Sequence, residues 1–347
     1  MKKLAVLFCI TFFALALPAA EHKWDPLPLA VANNAVAMAK VDKRLYLFSF
    51  MGIGEKKTWK DVTNRAFMLN TEDGRWTEIR PVPGPAGRLA ASAIAVKDVV
   101  YLLGGYTLDS RGVITSGRTM EVLLPSRGIW YRGADMPTPL DDTVVGVYRD
   151  RYIYTVSGWS QTETVASVQI YDTEKDKWHQ ATPIPGNPVF GHAGALVGDT
   201  IVYVDGAYKN PSANPQYIAS EECWMGKIDR HDPTKIQWTK LPSHPGKARF
   251  RIAAGGSERD QKIYFSGGSE DLHNYAGIGY DGHPSDPVAM TFAWNLRTSK
   301  WEVVSENTPN PTMDNRGLLV TPESIVRIGG MEKDQKISTR LAVLPRK

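Results

Sequence analysis

The apolar residues of this chain fall into short runs separated by glycine, proline and polar turns. Val99–Gly105, Val-Val-Tyr-Leu-Leu-Gly-Gly, shows the pattern most clearly: a buried strand followed by a sharp backbone exit. Degraded copies stand at Leu45–Gly52, Tyr152–Gly158, Ile201–Gly206, Ile263–Gly268 and Ile325–Gly330. After each of the first five comes another apolar run, a polar turn and a tryptophan: Trp76, Trp130, Trp178, Trp238 and Trp301. The pattern predicts strands at 35–41, 45–50 and 66–70, then 90–96, 99–103 and 120–124, then 143–148, 152–157 and 167–171. It continues at 193–197, 201–204 and 223–228, at 252–255, 263–266 and 289–295, and at 317–321, 324–328 and 339–344. No helix of consequence is predicted, and no linker or second domain.

The intervals between these signals carry the fold. Trp76 to Gly105, Trp130 to Gly158, Trp178 to Gly206, Trp238 to Gly268 and Trp301 to Gly330 span 29, 28, 28, 30 and 29 residues. From the second glycine to the tryptophan of the same repeat the span varies from 20 (Gly158 to Trp178) to 33 (Gly268 to Trp301). One half of each repeat is fixed in length and the other carries insertions. Four short strands per unit, each unit burying its faces against its neighbours, make a propeller blade. The double glycine and later tryptophan at this period resemble the kelch family. The sixth copy has no tryptophan after it, but Trp24 at the other end lies 28 residues before Gly52. The expected fold is therefore all-β, a six-bladed kelch-type β-propeller over 21–347 whose N-terminal strand closes the last blade and leaves no free edge.

Composition adds the compartment. Lys2 and Lys3 precede the apolar run Leu4–Leu17 and Pro18-Ala19-Ala20, the order and length of a secretory signal peptide at 1–20. That run is too short to span a bilayer, so the mature chain is expected to be periplasmic or secreted. With 41 basic and 37 acidic residues, and no basic tail, nucleic-acid binding is excluded as a function class. Removing the signal leaves Cys223 as the lone cysteine, read as a buried thiol, so no internal disulfide is expected. The chain is read as a monomer.

In a four-stranded blade, the loop between strands two and three emerges on the same face as the connection to the next blade. The insertions at Tyr208–Ser220 and Ser269–Pro287 therefore crowd one mouth of the central channel, where sites are expected. The other face should carry short turns and little chemistry. The inter-blade connections bring Asn33-Asn34, Arg88, Asp141-Asp142, His192, Arg249, Arg251 and Asp314-Asn315-Arg316 to that mouth. Arg88 and Arg251 each precede the first glycine of their repeat by 16 residues, which predicts equivalent positions. Converging guanidinium forks suit a carboxylate ligand, or else ion pairs with Asp141, Asp142 and Asp314 that tie blades together. Candidate ligand contacts are Arg88, Arg251, Arg316, His192, Asp142, Tyr208 and Tyr275, and Tyr217, Tyr280 and Trp159 are able to stack on a sugar. Candidate acids and bases are His273, His283 and Glu270 in the fifth insertion. The pairs Asp271/His273 and Asp281/His283 match no closed zinc set, and no metal or cofactor is assigned.

The exported address and the insertions in the fourth and fifth blades, with Asn274-Tyr275 and His283, resemble the bacterial N-acetylneuraminate mutarotase (epimerase) group. That resemblance implies binding of a sialic-acid-type sugar, or a surface glycan, at the mouth, with interconversion of its anomers. The chain departs from the group in having Ala207 where an acidic residue is expected after the blade 4 glycine, and in lacking a long blade 3 insertion. The alternative is a non-catalytic module that binds a glycan or protein on the same face. A copper-radical sugar oxidase, another kelch-bearing class, fits worse, since Cys223 stands alone in a strand with no adjacent Tyr-His pair.

Overall fold

The computed structural model of the chain describes residues 24–84 and 86–346. The expected signal peptide lies outside them. Each apolar run with its glycine exit is a strand, and consecutive strands pair antiparallel into one sheet per repeat. Blade 1 is Ala35–Val41, Arg44–Phe50, Ala66–Asn70 and Trp76–Ile79. Blades 2 to 5 repeat it, beginning with Ser92–Val96, Val144–Tyr148, Ala193–Val197 and Ala253–Ser257. Blade 6 has three strands among the described residues, Leu319–Val320, Ser324–Ile328 and Leu341–Pro345. The first strands of successive blades lie side by side around the whole ring, the sixth against the first. Six blades and an all-β ring are what the repeat count implied.

Core side chains sit between sheets. One cluster joins Phe48, Phe50 and Val100 of blades 1 and 2, and another joins Val202, Phe265, Phe292 and Trp294 of blades 4 and 5. Between-sheet burial explains the near-continuous apolar second strands, such as Thr200–Val204, which is buried at every position. The repeat tryptophans add a register. The indole N–H of Trp130 donates to Arg80 O, Trp178 to Ala134 O and Trp301 to Pro242 O at 3.0, 2.8 and 2.8 Å. Each acceptor lies four residues past the preceding blade's tryptophan, as does Thr182 O for Trp238 at 3.4 Å, so blades 2 to 5 are each pinned to the outer strand before them.

Ring closure uses a related bond whose acceptor lies one residue, not four, past the preceding tryptophan. Trp76 donates to Asp25 O at 2.9 Å, and Leu27 N–H donates to Thr339 O at 2.7 Å beside the third strand of blade 6. Leu27 and Val31 fill the cluster between blade 6 (Val326, Ile328, Leu341) and blade 1 (Leu47, Leu69). Trp24 itself does not repeat the backward bond of the other tryptophans. Its indole donates forward to Thr71 O of blade 1 at 3.1 Å.

Candidate functional site

Each inter-blade connection passes through one left-handed residue just before the inner strand: Asn33, Ala90, Asp142, Gly191, Arg251 and Asp314, with φ between 51° and 61°. Their equivalence is set by the bridges one residue earlier, Leu89 to Tyr106, Asp141 to Trp159, Phe250 to Ser269 and Met313 to Met331 among them. Backbone N–H groups of Asp142, Gly191, Arg251 and Asn33 donate to the carbonyls of Ala90, Asp142, Gly191 and Asp314 at 3.1, 3.2, 2.7 and 2.9 Å. Asn33 Oδ1 closes the step to Ala90 N–H at 2.7 Å. The result is a belt of six equivalent residues around the axis.

This belt corrects the expected pairing of Arg88 with Arg251. Blade 5 turns between its first two strands through residues 258–261, whereas blade 2 uses only 97–98. The longer turn shifts the count, so Arg88 corresponds to Arg249 and Arg251 to Ala90. Arg88 lies off the belt and is itself paired, with Nη1 donating to Glu121 Oε1 at 3.2 Å.

Four charges meet within the belt. Arg251 reaches Asp142 Oδ2 and Asp314 Oδ1, both at 3.1 Å. Arg316 reaches Asp142 Oδ1 at 2.8 Å and Asp314 Oδ1 at 3.0 Å, and its Nε donates to Asn33 Oδ1 at 2.7 Å. All four side chains are at most 6% exposed. Two cations against two anions form a neutral box, the arrangement in which buried charge is tolerable. Burial alone pushes the Asp142 carboxyl up, but Arg251 and Arg316 outweigh it and hold Asp142 below its ordinary value. Its neighbour Asp141 goes the other way: burial and the Asp142 charge push it well up, and Ser116 Oγ donates to it at 2.6 Å. His192 Nε2 donates to Val156 O at 2.9 Å, and burial lowers its pKa to about 4, so the ring is neutral.

Along the axis, a cavity of about 830 Å³ runs between the inner strands, walled by Val36, Ala93, Val145, Ala195 and Leu318. Asp142 and Arg251 of the belt, with His192 and Arg316 beside them, form one end. Arg149, Asp150, Glu258 and Arg230, from the short turns, form the other. The face expected to carry little chemistry thus holds the charged rim of the channel.

The insertion-bearing face is roofed. Ile53, Leu89, Tyr106, Met313 and Met331 pack over the belt with Tyr275 against them. Beside them the insertions of blades 3, 4 and 5 assemble aromatics. Trp159 lies 6.0 Å from Tyr217, and Tyr217 lies 4.4 Å from Tyr280. Phe190 packs against Trp159 at 5.2 Å and Tyr217 at 5.7 Å. Tyr280 remains 37% exposed, Trp159 and Tyr217 are half-buried, and Lys209 Nζ stands 5.7 Å over the Trp159 ring. Burial raises the Tyr280 hydroxyl to about 12, with the fields of Arg251, Asp142 and Asp314 also acting on it. Phe190 packs edge-on against Phe250 at 5.3 Å, and the Arg251 guanidinium lies 4.8 Å from the Phe250 ring, so the platform connects to the belt through these two rings.

Residues 35–268 match the family described as the KLHDC2/KLHL20/DRC7 Kelch-repeats domain. The chain belongs to the kelch-repeat family. It is 32% identical over 272 residues to Kelch-like protein 15 of Danio rerio, covering 78% of this chain and 43% of that protein. The Gallus gallus counterpart is 30% identical over 170 residues, covering 49% of this chain and 34% of that protein. This kelch chain thus spans less than half the length of those relatives. It is also 25% identical over 310 residues to N-acetylneuraminate epimerase of Haemophilus influenzae, covering 85% of this chain and 73% of that protein. The solved structure of YjhT superposes with a TM-score of 0.73 at 16% identity, covering 93% of this chain and 99% of that one.

In this kelch ring the other candidate residues separate. Arg251, Arg316, Asp142 and His192 come together, with every guanidinium among them paired to carboxylates. Tyr208 packs on the blade 3–4 core. His273 is fully enclosed, edge-on to Phe250 at 5.4 Å, with Nδ1 donating to Asn274 O at 3.0 Å. Burial, and then Arg251, lowers its pKa to about 4. Glu270 is exposed and pairs with Lys247 at 2.9 Å, and His283 is exposed near the tip of the same insertion. The central place of Asn33 and the clustering of Trp159, Tyr217 and Tyr280 were not legible from spacing. Asn33, Asp142, Gly191 and Asp314 are residue types that favour left-handed backbone, a usable signal that Ala90 and Arg251 obscure.

Proposed function

We propose that this kelch propeller is an exported, monomeric carbohydrate-binding protein that takes an acidic, sialic-acid-type sugar on its insertion-bearing face. The observation that supports it is the platform of Trp159, Tyr217 and Tyr280, partly open to solvent, with Lys209 at its edge. Flat aromatic faces cover the C–H side of a pyranose, and an ammonium at the rim attracts a carboxylate. Arg251 and Arg316 then act from beneath, holding the roof rather than the ligand. No helix among the described residues is long and apolar enough to cross a membrane.

The similarity to N-acetylneuraminate epimerase favours a catalytic form of this reading. Anomer interconversion requires a base for the anomeric hydroxyl proton and an acid for the ring oxygen. On the blade 5 insertion, Glu270 is the candidate base and His283 the candidate acid. Calorimetric titration with N-acetylneuraminate and with a neutral hexose tests the binding. Affinity for the acidic sugar alone is expected, lost in Tyr217→Ala with an unchanged melting temperature. Equal affinity in that variant, or none in the native protein, overturns the reading. Proton NMR of anomer exchange tests catalysis separately: binding with unaltered exchange leaves a non-catalytic module.

A further inference from the structure

Away from the belt, three side chains that the sequence reading did not connect meet under the seam of blades 4 and 5. Asp205 takes the place of the first glycine of its repeat, Cys223 opens the third strand of blade 4, and His244 lies in the connection to blade 5. One donor atom from each lies within 4.8 Å of the others, and all three residues are buried. His244 Nδ1 is 2.8 Å from Pro245 O, a pure acceptor, so that nitrogen carries the proton. In the neutral ring Nε2 then presents a lone pair, and it faces Asp205 Oδ2 at 2.8 Å. Two acceptors face each other there and need a cation between them, either a proton or a metal ion. The other carboxylate oxygen, Asp205 Oδ1, is buried without a hydrogen-bond partner.

We propose that Asp205, Cys223 and His244 form a binding site for a single zinc-class divalent cation. Thiolate, imidazole nitrogen and carboxylate oxygen are the donors zinc prefers, and Asp205 Oδ1 is available to complete four-coordination. The Nδ1–H bond to Pro245 is the outer-sphere contact that fixes a ligating histidine's tautomer. Tetrahedral bonds of about 2 Å set nitrogen and oxygen about 3.3 Å apart, so the site opens by roughly half an ångström on binding. Binding releases the Cys223 thiol proton to solvent. Because a thiol proton is displaced, uptake favours higher pH. Arg249 packs beside the group. Its backbone N–H donates to Asp205 Oδ2 at 2.9 Å, while its guanidinium is engaged with Met290 O at 3.2 Å and lies over Phe292. Pro242, Ser243 and Gly246, which flank His244 in sequence, are exposed.

Titration of the full chain with Co2+ tests the proposal. One equivalent is expected to produce a saturating thiolate-to-cobalt charge-transfer band that Zn2+ then removes. Cys223→Ser should abolish the band, and His244→Gln should weaken binding at least tenfold, with native circular dichroism retained in both. Should a variant fail to fold, the same question is put to a chain carrying Cys9→Ser, in which Cys223 is the only thiol. There Zn2+ should slow alkylation of Cys223 at least tenfold. Absence of the band from folded protein, its persistence in Cys223→Ser, or alkylation indifferent to Zn2+ overturns the site and leaves a proton-bridged Asp205–His244 pair.

Discussion

Asp141 and Asp142 are adjacent in sequence and alike in chemistry, yet the fold shifts their carboxyls in opposite directions. Asp142 is ionised between two arginines, so Asp142→Asn strands positive charge in the interior and should cost about 3–5 kcal/mol in urea unfolding. Burial, and then the charge of Asp142, pushes the Asp141 carboxyl well above its ordinary value, so ionising it in the fold is unfavourable. Asp141→Asn keeps the shape without the carboxylate and should leave the melting temperature unchanged or raise it. The histidines set the acid limit. His192 and His273 are pushed down to about 4 in the fold, by burial in both and by Arg251 at His273. An unfolded histidine titrates near 6.5, so below that pH the unfolded chain binds more protons than the folded one. Their contribution is complete above about pH 6.5 and drains as pH falls toward 4, by about 3 kcal/mol each at 1.36 kcal/mol per unit. Melting curves from pH 7 to 4 should show this decline, and the His192→Gln/His273→Gln double variant should flatten it.

At the scale of the element, the glycine exits and the tryptophans do different work. Gly105 has φ +81°, and a Cβ there would lie 2.7 Å from Leu89 O and 2.8 Å from Ala91 Cβ. Gly105→Ala should cost at least 1–3 kcal/mol in chemical denaturation, more than alanine costs in an ordinary turn. Trp130→Phe keeps most of the apolar contact but removes the bond to Arg80 O, and a loss of about 1 kcal/mol is expected. These elements were readable because their signals are local: an apolar run, a glycine pair, an indole at a fixed distance. Arg88 and Arg251 were misaligned because a turn two residues longer is invisible to a count from the glycine. Trp159, Tyr217 and Tyr280 come from three different insertions, and nothing local records that they touch. Asp205, Cys223 and His244 are likewise spread over three segments. Contact across segments, rather than residue type, is what the linear pattern withholds.

For the molecule as a whole, closure among the described residues rests on Leu27, Val31 and a few backbone bonds, with three strands in blade 6. Deleting residues 21–31 should therefore open the seam between blades 6 and 1 and lower the melting temperature by ten degrees or more, with exposed apolar surface seen by dye binding. A variant that melts like the full chain would show that the ring holds without its latch. The charged belt has a further effect at this scale. Because Arg251, Arg316, Asp142 and Asp314 stop one end of the axial space, the ring is a cul-de-sac and not a conduit. Whatever enters must leave past Arg149, Arg230 and Glu258, so residence there is governed by a single doorway, and its traffic should respond to ionic strength.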